Sequence, residues 1–399
     1  MLRHPASVLL PLVTLAACGG DASSGLSTAA IDTLADGVVQ VTNTGPTAWA
    51  DTSGWRLVEE LVIAPEEGSP GELSSTYRIA ADDAGYVYVL QDSPARIAKF
   101  GPDGEWIMDI GREGDGPGEF RDGTLGIVGD TLLVQDPNNS RMTTFRTDGS
   151  FIGTHPTQCC WFSSRMRVLS DGRALIMGPP PPGTEVRGAF YLTDMHGSVS
   201  DTLMMPPERP EETDDYWTVT RTMGRGTSMR VANIPMHAVD EAVVRFDGSV
   251  VRGRTDNYRF IVGSTYTDTS RVIIASAPTI PLTGTQRDSA YRAAMDELDD
   301  DWRKSFEEVA KPGDIPSNWP AWSGFTVDRD NNLWVALPGD RGAATILQVF
   351  NPEGILLGSV PGIGVRMLNG FWTRDRIIFG DESEEGLPVI RVYRLTRSM

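Results

Sequence analysis

Histidine, cysteine and carboxylate side chains are the groups from which this 399-residue chain would build a reactive centre, and it carries four His, three Cys and 54 Asp+Glu. His155, His196 and His237 recur at equal intervals of 41 residues. A zinc ion needs its imidazole nitrogens to converge within about 2.1 Å. The three histidines differ in position within the surrounding pattern. His155 closes an outer strand, His196 sits in a turn on the opposite face, and His237 opens an inner strand, so no metal ligand is assigned. Cys159 and Cys160 are adjacent, with Cα atoms about 3.8 Å apart across a trans peptide, below the usual disulfide window. Two readings stand: a strained redox pair forming a ligand platform with Trp161, or two buried thiols at a junction between repeated units. The Gly-rich run Gly111–Phe120 joins strand to strand and opens no helix, so it is not read as phosphate-binding. No nucleophile elbow, Walker loop or His-bearing triad can be drawn, and no catalytic residue is assigned. Against 54 acidic residues stand 35 Lys+Arg, a net charge of −19 that argues against nucleic acid as a partner.

Those residues must be carried by elements, and the chain begins with a segment that is not one. Arg3 leads into an apolar run from Ala6 to Leu15, then Leu15-Ala16-Ala17-Cys18. This is the layout of a secretory signal, too short to span a bilayer. Small residues before a cysteine resemble a bacterial lipobox. The resemblance implies cleavage before Cys18, lipid on its thiol, and a protein touching the membrane through that lipid alone. By resemblance to enterobacterial sorting, in which Asp at this position marks retention at the inner membrane, Gly19 implies the outer membrane of the bacterial cell envelope. Residues 18–53 are small and polar, a composition that reads as a flexible tether with one short strand at Val38–Val41.

Self-comparison organises the rest. Tyr86–Leu90, Arg96–Phe100 and Trp106–Ile110 are three short apolar runs separated by turns, the last turn carrying Asp103-Gly104. The pattern returns over Thr131–His155 and Asn332–Val360, and more weakly from Arg173, Ser249 and Arg376. The turn residues Gly85, Asp130, Gly172, Gly248, Asn331 and Asp375 mark six units at intervals of 45, 42, 76, 83 and 44. Four short strands per unit of this length predict an all-β, six-bladed β-propeller of four-stranded antiparallel blades over residues 54–399. The last unit lacks its fourth strand, while Trp55–Ala64 stands alone at the other end. Ile63–Leu73 aligns without a gap on Ile110–Phe120, so the N-terminal strand is predicted to complete the last blade and remove the exposed edges.

At this point the residues resemble NHL-type six-bladed propellers. Asp136-Pro137-Asn138-Asn139-Ser140-Arg141-Met142 fits the family's D-x-x-N-x-R-[IV] segment, followed by Phe145 and Asp148-Gly149. Asp136, Asn139 and Arg141 are read as organisers of a turn. The chain also looks like six-bladed lipoproteins of bacterial envelopes. Relatives of this kind include metal-dependent lactonases and a zinc lyase, which implies an alternative: an enzyme of lyase or lactonase type with a metal at the central channel. No cofactor is predicted; calcium is the cation a channel in so acidic a chain would admit, although no Asp/Glu/Asn set recurs at the inner strands.

Propeller topology places the connections between blades, and those between second and third strands, on one face. Two insertions fall there, at about 206–235 and 283–322. The first looks irregular. The second is predicted to hold one amphipathic helix, with Tyr291, Met295, Leu298, Trp302, Phe306 and Val309 in a stripe, Asp288 as N-cap and Lys311-Pro312-Gly313 as stop. An amphipathic helix is stabilised by covering its stripe, so it is expected to lie over the blades, the two insertions together forming a lid. The favoured function is a monomeric, non-catalytic binding or scaffold module for an envelope protein, peptide or glycan. Arg112, Glu113, Trp161, Trp217, Arg221 and Trp302 are the candidate binding face.

Overall fold

A computed structural model describes residues 29–44, 47, 55–157, 166–186, 188–206, 215–224, 226–276, 279–338 and 346–397. Six antiparallel sheets form the blades of a propeller. Blade one comprises Ile79–Ala81, Val87–Asp92, Ala95–Phe100 and Trp106–Ile110, and blade two Thr124–Val128, Thr131–Asp136, Arg141–Arg146 and Phe151–Pro156. Blade three comprises Met166–Val168, Ala174–Gly178, Ala189–Thr193 and Val199–Met204. Blade four holds Asp240–Val244, Val250–Arg254, Arg259–Gly263 and Arg271–Ala275, and blade five Gly324–Val327, Leu333–Ala336, Ile346–Phe350 and Leu356–Pro361. Blade six is Phe371–Trp372, Arg376–Glu382, Pro388–Arg397 and, outermost, Trp55–Ile63, which pairs antiparallel with Pro388–Arg397.

Why these segments form blades is visible in their second strands. A strand presents alternate residues to opposite faces, and here both faces are covered. Leu132 and Val134 pack into the junction with blade one, while Leu133 between them packs into the junction with blade three. Leu333 and Val335 pack toward blade four, Trp334 and Ala336 toward blade six. These strands therefore read as unbroken apolar runs rather than as alternation. Each adjacent pair of blades shares one buried cluster, and the pair formed by blades six and one shares Ile63, Ile378 and Ile390 with Val87, Val89 and Phe100. Blades one, two, three and five each carry a bulge between their outer two strands, before Phe100, Phe145, Thr193 and Phe350. A bulge of this kind bends the outer strand and increases its twist.

The residues of the repeated motif do organise a turn. Asp136 is fully buried; its carboxylate accepts from Asn139 Nδ2 at 2.8 Å and from the Arg121 backbone N–H at 3.1 Å. Arg141 donates to the carbonyls of Asp115 and Glu119, both at 2.7 Å, and so pins the connection between blades one and two.

One departure concerns the expected tether. Residues 1–28, and with them Cys18, lie outside the described residues. Ala29–Thr33 and Val39–Asn43 form a hairpin, and Val39–Asn43 adds in parallel to the outer strand of blade four. Composition misled because a strand on an outer edge needs few large side chains when its backbone is paired. Val41 is nonetheless buried. Asn43 supplies the anchor: its Nδ2 donates to Ile274 O at 3.2 Å and Gly354 O at 2.9 Å, and its Oδ1 accepts from Leu356 N at 2.8 Å. One side chain thereby joins blade four to blade five.

Asn43→Ala leaves the Leu356 N–H without its side-chain acceptor and should lower stability by about 2 kcal/mol, read as a lower midpoint of urea denaturation. A pH effect belongs to the other N-terminal strand. Glu59 accepts from Tyr393 Oη and Arg391 Nη1, both at 2.7 Å. Glu60 accepts from Arg376 Nε at 2.7 Å and lies 2.6 Å from Arg394 Nη2. Tyr393 and Arg391 hold the Glu59 carboxyl below the ordinary value of 4.5, and Arg376 and Arg394 do the same for Glu60. Groups whose pKa is depressed by folding contribute stability above their unfolded value and lose it as pH falls through the folded one. The urea midpoint should therefore drop on acidification below about pH 4.5, and Glu60→Gln should flatten part of that dependence.

Candidate functional site

The two insertions fold together into one module with its own core. The first contains a hairpin, Tyr216–Met223 paired with Gly226–Asn233. The expectation of irregular chain there is corrected: Trp217 and Val219 alternate with Tyr216 and Thr218 over a strand-length run, and its inward residues are buried. The second holds two helices instead of one, α1 (Gly284–Asp296) and α2 (Asp300–Val309). The expected single helix is interrupted because Asp299 caps α2, accepting from the Trp302 N–H at 3.1 Å. Thr283 and Gln286 form a capping box at the start of α1, so Asp288 is inside the helix. The stripe itself is real. Met295, Leu298 and Phe306 pack with Trp217, Val219 and Ile234, with Tyr291 and Trp302 at the margin. Val309, assigned to the stripe, is 48% exposed.

Trp217, Arg221 and Trp302 are thus brought together. Trp217 is buried and donates its indole N–H to Asp314 at 2.8 Å. The Arg221 guanidinium lies 4.6 Å from the Trp302 ring centroid and donates to Ser305 Oγ and to the Asp301 carbonyl. Arg230 approaches the same ring at 5.7 Å and pairs with Asp299 at 2.5 Å. These are internal contacts that fix helix to hairpin, and they leave little of Trp217 for a ligand. The outward face of the hairpin is different: Tyr216, Met229 and Val231 are 40, 45 and 44% exposed.

The module stands on blade four. Asp215 accepts from Arg254 Nη2 at 3.1 Å and lies 2.7 Å from His237 Nδ1. Trp322 donates to Asn257 O at 2.8 Å, and Ala321 N to Thr255 O at 2.7 Å. The apolar stripe covers the hairpin and not the blades that it is expected to lie over.

Arg112 and Glu113 are exposed and lie apart from the module, on the connection between blades one and two. Arg112 Nη2 pairs with Glu119 at 2.7 Å, and the Gly116 N–H, followed by Arg112, holds the Glu119 carboxyl below its ordinary range. Cys159, Cys160 and Trp161 lie outside the described residues. His155 and His196 were placed on opposite faces; they are stacked, with ring centroids 4.3 Å apart. Sheet twist turns the outer strand of blade two across the axis, so its end meets the outer turn of blade three. His237 is elsewhere, beside Asp215. Among the described residues no group of three or more His, Cys, Asp or Glu is placed to hold a metal.

The central channel holds a cavity of about 530 Å³. Its walls reach from the segments that lead into the inner strands, such as Ser74–Arg78 and Leu368–Gly370, to the turns that leave them at Phe246 and Arg329. No described residue of the insertion module lines it. Three arginines do. Arg78 is paired with Asp92 at 3.2 Å and Asp122 at 3.0 Å. Arg167 stands 4.8 Å from the Phe246 ring, and Arg329 stands 5.6 Å from Phe246 and 5.3 Å from Phe371. Sequence reasoning missed these residues. A signal existed: Asp83, Ser170, Phe246 and Arg329 each stand two residues before the turn residue that marks their unit, and two of them, Phe246 and Arg329, project into the channel.

No family model matches the chain, and no curated protein matches it. Solved structures do. A Bacteroides fragilis protein described as exported covers 87% of this chain and 96% of its own, with 13% identity and a TM-score of 0.45. A member of the DUF4221 family from Bacteroides vulgatus covers 87% and 100%, with 12% identity and a TM-score of 0.45. A catalytically inactive virginiamycin B lyase from Staphylococcus aureus, bound to quinupristin, covers 85% and 99%, with 11% identity and a TM-score of 0.38.

Phe306 is fully buried at the centre of the module. Phe306→Ala should remove about 3–5 kcal/mol of local stability. Hydrogen exchange should then accelerate in residues 216–233 and 284–309 and stay unchanged in the blades.

Proposed function

We propose that this chain is an exported, lipid-anchored propeller that binds a protein or peptide partner through the insertion module and does not turn it over. The observation that carries this reading is the outward face of the hairpin. Met229 and Val231 lie opposite Thr220 and Thr218, with Tyr216 opposite Asn233, and they leave apolar surface beside strands that have no further partner among the described residues. An extended peptide gains affinity from main-chain pairing at such an edge and selectivity from the side chains along it. The rigid core beneath, with Trp302 held between Arg221 and Arg230, fixes that edge in one geometry.

Location follows from the lipobox-like Leu15–Cys18. Among the described residues no helix is long and apolar enough to cross a membrane; the attachment in this reading is lipid at Cys18, in the outer membrane. Ala29 follows eleven positions later, a reach of at most about 38 Å. The hairpin that begins at Ala29 lies on the rim of blade four, the blade that carries the module. The anchor therefore holds that side of the ring near the bilayer and directs recognition toward partners close to the membrane surface.

Photo-crosslinking in native envelopes, from a probe at Thr218, should capture one defined protein. Met229→Lys with Val231→Lys should abolish the capture while export and folding persist. A captured glycan would reassign the ligand class. Stoichiometric metal in the purified chain, with capture unaffected by the lysine changes, would favour the lyase or lactonase alternative.

A further inference from the structure

The channel cavity is chemically unlike the rest of the molecule. The chain as a whole carries a charge of −19, yet beside Asp381 and Glu382 the wall here carries guanidinium groups and aromatic rings. They come from four successive blades: Arg167 from the inner strand of blade three, Phe246 and Arg329 from the inner turns of blades four and five, and Phe371 from the inner strand of blade six. Both guanidinium groups lie within 6 Å of the Phe246 ring centroid, and Arg167 has another partner besides that ring. Arg329 makes no ion pair or hydrogen bond with a described residue; it faces the rings of Phe246 and Phe371, and Asp83 and Arg374 are near enough to act on its charge. Burial pushes its pKa down from the ordinary arginine value, and it stays charged at any physiological pH.

The arrangement is held in advance of any ligand. The Phe246 N–H donates to Asn331 Oδ1 at 2.7 Å, and its carbonyl accepts from Ser170 N at 2.8 Å, so neighbouring blades grip this turn from both sides. The Arg329 turn is wound around the buried Asp328, whose carboxylate accepts from the Asp330 and Asn332 N–H groups and from the Trp334 indole. Positioning of this kind reduces what binding would lose in ordering side chains. Guanidinium forks match a carboxylate, and in a site of low dielectric such charge-assisted bonds are strong. The remaining walls combine apolar residues, Ile79, Leu125, Ile127 and Val168 among them, with polar ones that include Thr124, Asn369, Asp381 and Glu382. A cavity of this size is within the range of small-molecule sites, which combine apolar walls with a few polar anchors.

We infer that the central channel binds a small molecule joining a carboxylate to a flat apolar body, with the carboxylate on Arg329 and the body against Phe246 and Phe371. The site is separate from the hairpin surface and does not depend on it. Calorimetric titration of the full chain with phenylacetate and with its neutral isostere phenylacetamide tests the inference. Phenylacetate should bind, and phenylacetamide should bind at least about tenfold more weakly. Arg329→Gln should weaken phenylacetate by about tenfold or more, Arg329→Lys should restore part of it, and Met229→Lys should change nothing. Equal affinity for acid and amide, absence of binding by phenylacetate, or unchanged affinity in Arg329→Gln would overturn it. Should Arg329→Gln fail to fold, the comparison of acid and amide on the unaltered chain decides alone.

Discussion

Every blade of this propeller buries both faces of its sheet against two neighbours, and that single packing constraint governs the rest. Leu132, Leu133 and Val134 are three consecutive residues committed alternately to two different junctions. A change of strand register by one residue would exchange those commitments, so register is fixed by the surroundings on both sides. The six junction clusters, with blade six also packed on blade one, support the inner strands from behind. The turns that leave those strands are then free to vary in chemistry, because the clusters hold them regardless of which side chains they carry. Phe246 and Arg329 at one turn position, and Ser170 at the same position in another blade, illustrate that freedom.

Much of this architecture was legible from order and spacing. Apolar strands separated by Asp-Gly turns, repeating at about 43 residues, gave the blades their number and boundaries. What misled were segments stabilised by something other than their own composition. Residues 29–43 look like linker because their pairing is donated by the outer strand of blade four and their anchor is the side chain of Asn43. The break between α1 and α2 was hidden because the apolar stripe continues through Leu298, in the link, while Asp299 caps the second helix. The apposition of His155 and His196 needs the degree of twist in the outer strands, which no sequence spacing records.

The site divides in the same way. Trp217, Arg221 and Trp302 stand out in the sequence because aromatic and basic residues in long insertions are conspicuous, and the shared core of hairpin and helices brings them together in internal contacts. Arg167, Arg329, Phe246 and Phe371 come from four separate repeats, more than 200 positions apart at the extremes. Each is unremarkable in its own segment, and only closure of the inner strands around one axis makes them neighbours.

Pairing of Trp55–Ile63 with Pro388–Arg397 also sets a timetable. Glu59 and Arg391, which join that seam, are separated by 332 positions. As the chain emerges during synthesis, Trp55–Ile63 has no mate until almost the last segment has followed. It waits as an unpaired β-edge, open to adhesion with other chains. Truncation before Pro388 would leave that edge permanently bare, so the hazard to the cell from a prematurely terminated copy is aggregation rather than a merely inactive product.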